Sequence, residues 1–242
     1  MQGKVRIGTS GWHYKHWVGQ FYPDKLPAKE MFAFYARHFD TVEINNSFYR
    51  LPLPKTFDSW RDNSPRNFLF AVKANRFITH MKKLKDPQSS SEKFFAGVER
   101  LETSLGPILF QLPPHWGLDL QRLANFLDQL PKEHRYVFEF RDESWLVNDA
   151  LDVLRKYNAA FCIHDLARMQ TPLEITADFT YLRFHGPGEA KYCGSYSAAS
   201  LRRWADRIND WKANGIDVYA YFNNDVGGHA NSNGLQLKAL TT

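Results

Sequence analysis

Tyr136-Val137-Phe138-Glu139-Phe140-Arg141 alternates aromatic with non-aromatic side chains, and its second set becomes charged as the chain advances, from Val137 to Glu139 to Arg141. Successive side chains of a strand point to opposite faces. One face is therefore three aromatic rings, fit for burial under a helix, while the other ends in a carboxylate and a guanidinium. A strand apolar outside and polar inside only toward its C-terminal end is what a β/α barrel asks of its wall, because barrels place their sites at that end.

Four other segments repeat the parity. Phe68, Phe70 and Val72 oppose Leu69, Ala71, Lys73 and Asn75; Leu182 and Phe184 oppose Tyr181, Arg183 and His185. Val42 and Ile44 oppose Glu43 and Asn45, and Val218, Ala220 and Phe222 oppose Tyr219, Tyr221 and Asn223. Eight apolar runs predict strands over 5–10, 41–45, 68–75, 108–112, 136–141, 160–165, 181–185 and 218–224. Helical period follows over 28–38, 54–63, 89–105, 118–130, 148–157, 198–213 and 228–240. Segment 166–178 has no helical period, so it is read as a short helix or a covering loop. The 242 residues match the roughly 250 of one eightfold barrel, and no Pro/Gly/Ser-rich linker divides them. The expectation is one (β/α)8 TIM-barrel domain over 1–242, with an irregular unit after strand six.

Hydrophobic residues at 43% and charged residues at 24% fit a globular chain and exclude disordered or fibrous classes. The opening Met-Gln-Gly-Lys-Val-Arg-Ile-Gly is strand-like at once, which leaves no room for a signal peptide. No apolar run approaches the ~18 residues of a membrane span, and Cys162 and Cys193 lack paired-ligand spacing. A cytoplasmic protein without a membrane partner is expected. The net charge of +5 favours anionic partners without reaching the excess of a dedicated nucleic-acid-binding domain.

Inward parity collects Glu43, Lys73, Gln111, Glu139, Arg141, His164, Arg183, His185 and Asn223 at the barrel mouth. Buried charges need partners, so Glu43 is paired with Lys73, and Glu139 with Arg183 or Arg141. One cation remains, and a bound anion would complete the set. The bland alternative is a satisfied ion network that merely fills the mouth. Lys73 is the first candidate for general base or Schiff-base nucleophile, since a desolvated lysine among cations titrates low. Glu43 or Glu139 would carry the second proton transfer, and Asn223 or His185 would polarise a carbonyl. Arg141 and Arg183 would bind the anion, with Asn45, Gln111 and His164 beside them.

Loops add weaker signals. The basic run 75–85, with Arg76 and Lys82, follows strand three and would rim the pocket, unless it is simply a solvated loop. Trp12, His13, Tyr14, Trp17, Phe48 and Tyr49 would stack on a ring, or pack the loops over the mouth. Loops 185–196, with Tyr192, and 223–231 carry glycines suited to phosphate or to tight turns, without a Walker or dinucleotide fingerprint. Glu43, Glu139, His164, Asp165, His185 and His229 offer metal-ligand atoms, but no H-E-x-x-H spacing is present and Lys73, Arg141 and Arg183 would repel a cation. Neither metal nor cofactor is expected.

Ile7-Gly8-Thr9-Ser10-Gly11-Trp12, Val42-Glu43-Ile44-Asn45-Asn46-Ser47-Phe48-Tyr49, Phe70-Ala71-Val72-Lys73, Phe138-Glu139-Phe140-Arg141-Asp142-Glu143-Ser144-Trp145 and Arg183-Phe184-His185-Gly186 resemble the YecE-like family, a prokaryotic domain family of unknown function. The resemblance spans nearly the whole chain. It implies a (β/α)8 barrel related in architecture to metal-dependent endonuclease and sugar-isomerase barrels, and it brings no catalytic residues. The metal-binding pattern of those relatives is not evident here.

Three functions remain open on this reading. The first is an enzyme acting on a small phosphate- or carboxylate-bearing substrate by metal-independent acid/base or lysine chemistry. The second is a metal-dependent nucleic-acid hydrolase or DNA-binding repair-type protein. The third is a non-catalytic module for an anionic ligand. No protein partner is identifiable.

Overall fold

Eight parallel strands form a nearly closed barrel in the computed structural model, which describes residues 2–166, 169–188, 190 and 192–241. They are β1 (Val5–Thr9), β2 (Thr41–Ile44), β3 (Leu69–Lys73), β4 (Leu105–Gln111), β5 (Tyr136–Glu139), β6 (Ala160–Leu166), β8 (Phe179–Phe184) and β9 (Asp217–Phe222). A two-residue strand, β7 (Met169–Gln170), folds back antiparallel on β6. The order runs β1-β9-β8-β6-β5-β4-β3-β2.

The parity reading holds. Outward-facing Phe70, Phe110, Phe138, Phe140 and Phe222 pack with helix residues such as Phe94, Phe126 and Leu201 in one apolar layer. Ala71, Leu109, Val137, Cys162, Tyr181 and Tyr221 form a separate, narrower core inside the barrel. Each fully buried ring contributes roughly 1.5–3 kcal/mol of transfer free energy, so the outer layer carries most of the stability and leaves the upper interior free for polar groups.

Closure between β1 and β2 is sparse. The recorded backbone bridge joins Ser10 to Glu43. Gly8 lets the strands approach there, because a Cβ on it would sit 2.3 Å from the Thr41 carbonyl oxygen. The Tyr35 hydroxyl enters the same seam: it accepts from the Thr9 amide at 3.0 Å and donates to the Thr41 carbonyl at 3.0 Å. A side chain thus supplies bonds that a full ladder would have made.

The helices are α1 (Met31–Tyr35), α2 (Asn46–Tyr49), α3 (Pro54–Asp62), α4 (Pro87–Val98), α5 (Leu120–Asp128), α6 (Asn148–Lys156), α7 (Ala198–Ala213) and α8 (His229–Leu240). Proline fills the first turn of α3 and α4, where a missing N–H costs nothing. Asp119 and Ser197 cap α5 and α7 through their side chains. The expected helix over 89–105 stops earlier. Glu102, at φ 51°, breaks it, and β4 begins at Leu105 rather than at 108.

No helix follows β6 among the described residues; a covering segment does. The recorded β5–β6 register ends at Phe138↔Phe161. Beyond it the Thr171 hydroxyl accepts from the His164 amide and donates to the His164 carbonyl, at 2.8 and 2.9 Å. Thr176 does the same for the Phe161 amide and Ala159 carbonyl, at 2.7 Å each. Two threonines therefore satisfy backbone that would otherwise be buried unpaired.

Candidate active site at the barrel mouth

The floor of the mouth is an ion network centred on Arg183. Its Nε and Nη2 donate to Glu43 Oε2 and Oε1 at 2.9 and 2.7 Å, and its Nη1 donates to Glu139 Oε2 at 2.7 Å. Ser10 Oγ and Tyr181 OH complete the Glu43 carboxylate at 2.7 Å each. Burial alone would raise both carboxyls. The Arg183 guanidinium, with Tyr181 and Ser10, holds Glu43 below the usual carboxylate range, and Arg141 with Arg183 holds Glu139 well below it. Both are ionised at neutral pH.

This corrects the expected Glu43–Lys73 pair. In the β2–β3 register Glu43 stands level with Ala71, so Lys73 lies one inward layer higher, and the planar fork of Arg183 reaches Glu43 from β8. The expected pairing of Glu139 with both arginines is present.

Around Glu139, Arg141 donates from Nε to Oε1, and Gln111 Nε2 donates to the same oxygen at 3.1 Å. Arg141 Nη2 and the Asn223 amide lie 3.1 Å from His185 Nε2 and Nδ1 respectively. Burial holds His185 well below the ordinary histidine range, so its ring is neutral. Arg141 Nη2 and Asn223 Nδ2 can both only donate, and a neutral imidazole offers one acceptor nitrogen, so one of these two contacts at a time is a hydrogen bond to the ring. His164 donates from Nε2 to the Phe140 carbonyl at 3.0 Å, while its buried Nδ1 has no partner. Burial pulls His164 down to about 4.

Glu139, His164 and His185 bring potential ligand atoms within 4.8 Å of one another. Glu139 already accepts from both arginines and Gln111, so an ion bound there must displace Arg141.

Above the floor lies a cavity of about 530 Å³ whose wall includes Asn45, Tyr49, Lys73, Arg183, Tyr192 and Asn223. Lys73 Nζ stands 4.0 Å from the centroid of the Phe48 ring, and no ion pair joins it to a carboxylate among the described residues. Burial lowers its amine to about 7, with the Arg183 charge acting in the same direction. The position is fixed locally. Ser47 Oγ donates to the Lys73 carbonyl at 2.6 Å and Asn75 donates to the Ser47 carbonyl at 2.8 Å, which seats α2 and brings Phe48 under the ammonium. Burial, then Lys73, lowers neighbouring His80 to about 4, so its ring adds no charge.

The structure thus gathers Lys73, Arg183, Asn45, Asn223, Tyr49 and Tyr192 around one cavity, with Glu43, Glu139, His164 and His185 buried and Gln111 and Arg141 partly buried in the same network. Three expected members stand elsewhere. Trp12 leaves the mouth because Gly11, at φ 98°, turns the chain outward, and the indole packs on Phe32, Trp60 and Phe70. Arg76 and Lys82 flank a π-turn, Phe77–Met81, outside the cavity wall; Lys82 pairs with Asp86 at 3.1 Å. Trp17 and Phe48 are buried and unavailable for stacking.

In loop 185–196, Glu189 and Lys191 lie outside the described residues. Gly186 serves the loop itself: a Cβ there would stand 2.2 Å from the Cys193 carbonyl oxygen. Of the stacking candidates in the loop after β1, Tyr14 does line the cavity; sequence reasoning missed Ser10 and Tyr181, which inward parity would have found, and His16 and Asp225, which come from loops without period.

A family model described as "Protein of unknown function DUF72" matches residues 6–242. The UPF0759 protein YunF of Bacillus subtilis is 26% identical over an alignment 271 positions long, gaps included, covering 98% of this chain and 94% of that protein. The UPF0759 protein YecE of Escherichia coli is 32% identical over 138 residues, 57% of this chain and 48% of that one. A crystal structure of a DUF72 family protein from Thermotoga maritima superposes with a TM-score of 0.86 at 28% identity, covering 98% of each chain. No helix among the described residues is long and apolar enough to cross a membrane.

Proposed function

We propose that this chain, which belongs to the DUF72 family, is an enzyme whose Lys73 amine attacks the carbonyl carbon of a small anionic substrate. One observation carries the reading: the Lys73 amine lines a cavity, buried beside Arg183, without a carboxylate counter-ion among the described residues. Such an amine is substantially unprotonated near pH 7 and is a competent nucleophile. Its nitrogen bonds to the carbonyl carbon, the carbonyl oxygen leaves as water with one proton from the amine and one from solvent, and an iminium that keeps the second amine proton remains. Arg183 has two N–H groups beyond the three given to Glu43 and Glu139, and these face the substrate's anionic group. Asn223 polarises the carbonyl oxygen. Glu43 and Glu139 hold Arg183 rather than move protons, since both are ionised and fully hydrogen-bonded.

The test is competitive labelling with a neutral amine reagent between pH 6 and 9, followed by borohydride trapping with 2-oxo acids and keto-sugar phosphates. Lys73 should label fastest near pH 7 and carry the reduced adduct. Labelling of Lys73 no faster than that of surface lysines would overturn the reading.

A second reading, metal-dependent hydrolysis of a nucleic acid, draws on the Glu139, His164 and His185 cluster and the unpartnered His164 Nδ1. It predicts stoichiometric zinc or manganese retained after desalting and lost in His164→Ala, with oligonucleotide binding that weakens steeply with salt. Saturable anion binding without adduct or hydrolysis would indicate a binding module instead. A cytoplasmic location fits all three.

A further inference from the structure

The loop after β1, α1 and α3 enclose a second cleft, of about 730 Å³, on the outer side of the barrel wall. Trp12, Phe32 and Trp60 make its apolar side, with Trp12 5.3 Å from Phe32 and 5.5 Å from Trp60, the two indoles nearly perpendicular at 83°. All three rings are only partly buried. The polar side is amide: Asn45, Asn46 and Asn63. Among the described residues no carboxylate lines the cleft, and its fixed charge is Lys29, so a cationic ligand would find no counter-ion.

Asn45 and Tyr14 line both this cleft and the mouth cavity, which makes them the partition between the two. Asn45 Oδ1 is buried in that partition without a hydrogen-bond partner. Buried acceptors are ordinarily satisfied, and this one lacks a donor that a ligand could bring. Volume in the range of small-molecule sites, partly exposed indoles on one side and paired donor–acceptor amides on the other form a consistent set. Aromatic faces stack flat rings, and carboxamides hydrogen-bond a ring edge that carries both a donor and an acceptor.

We propose that this cleft binds a flat heteroaromatic ring with hydrogen-bonding groups on its edge, held face-on by one of the perpendicular indoles of Trp12 and Trp60 and edge-on by the other, and read by the asparagines. The site is separate from the Lys73 chemistry and does not depend on it.

Adenine is the probe, followed by quenching of tryptophan fluorescence and by calorimetry, with cyclohexanol as the non-aromatic control. Ala33→Trp fills the cleft from an exposed face of α1, and Ser59→Trp fills it from α3. The wild-type protein should bind adenine saturably, with affinity at least tenfold weaker in whichever of the two variants keeps the wild-type melting temperature. Asn45→Leu should weaken adenine as well. No saturation up to about 10 mM, the weak end of specific binding, would overturn the proposal. Equal affinity in the filled variants, or equal binding of cyclohexanol, would do the same. The readout contains no carbonyl step, so its failure leaves Lys73 labelling unaffected, and a failure of labelling leaves adenine binding standing.

Discussion

Lys73 holds its amine 4.0 Å from the centre of the Phe48 ring and makes no carboxylate pair among the described residues. The ring face offers partial compensation for a cation and none of the proton affinity that a carboxylate would add. The residue is therefore a destabilising group whenever it is charged.

That fixes a sign. Burial brings the folded amine to about 7, whereas an unfolded lysine titrates near ~10.4. Between those values the unfolded chain binds more protons, so this group's cost is full below about pH 7 and is relieved as pH rises toward ~10. Lys73→Met should raise the melting temperature at pH 6 and lose that advantage by pH 10. An advantage independent of pH would mean that the folded amine titrates normally.

Arg183→Met would leave Glu43 and Glu139 buried without their shared cation. Removing one side of a buried pair costs about 3–5 kcal/mol. Urea unfolding at pH 7 should show a loss of that size. The loss should shrink toward pH 5, because carboxylates without Arg183 take up protons more readily. A loss constant with pH would place the defect in packing.

Asp165 accepts from Tyr196 OH at 2.5 Å and from the His185 amide at 2.8 Å, yet burial raises its carboxyl to about 6. A raised acid contributes stability that is full below its unfolded value of ~3.9 and is lost as pH climbs through 6. The melting temperature of Asp165→Asn, relative to the wild type, should therefore rise between pH 4 and 7. A flat difference over that window would show the carboxyl to be ordinary.

Tyr35→Phe removes one oxygen from the β1–β2 seam and leaves the buried Thr9 amide without its acceptor. An orphaned buried donor costs about 1–3 kcal/mol. Chemical denaturation should report a loss in that range, and a change below about 0.5 kcal/mol, the scatter of neutral surface substitutions, would mean that water replaces the hydroxyl.

Parity made the barrel legible because its wall separates two environments, and residues such as Phe138 and Glu139 cannot exchange faces without cost. It identified inward-facing Lys73, Glu139, Arg183 and His185 for the same reason. Height along the axis is not encoded that way. Glu43 and Lys73 face the same interior, but the β2–β3 register sets them a layer apart, and only the register could have assigned Glu43 to Arg183. Loops were harder still. Trp12 is three residues past β1, and one positive φ at Gly11 decides which side of the wall it occupies. Lys82 sits in a basic run whose charge suggested a rim, while its partner Asp86 lies four residues on.

The seam at Ser10 and Glu43 joins two things usually separable in a β/α barrel. The residue that makes the recorded β1–β2 bridge also anchors Arg183, so the final stitch of the barrel and the assembly of the charged floor are one cooperative event. Amides of β1 and β2 should therefore exchange with solvent only when the floor comes apart. If the mouth admits a ligand, the loops above should yield before the floor does.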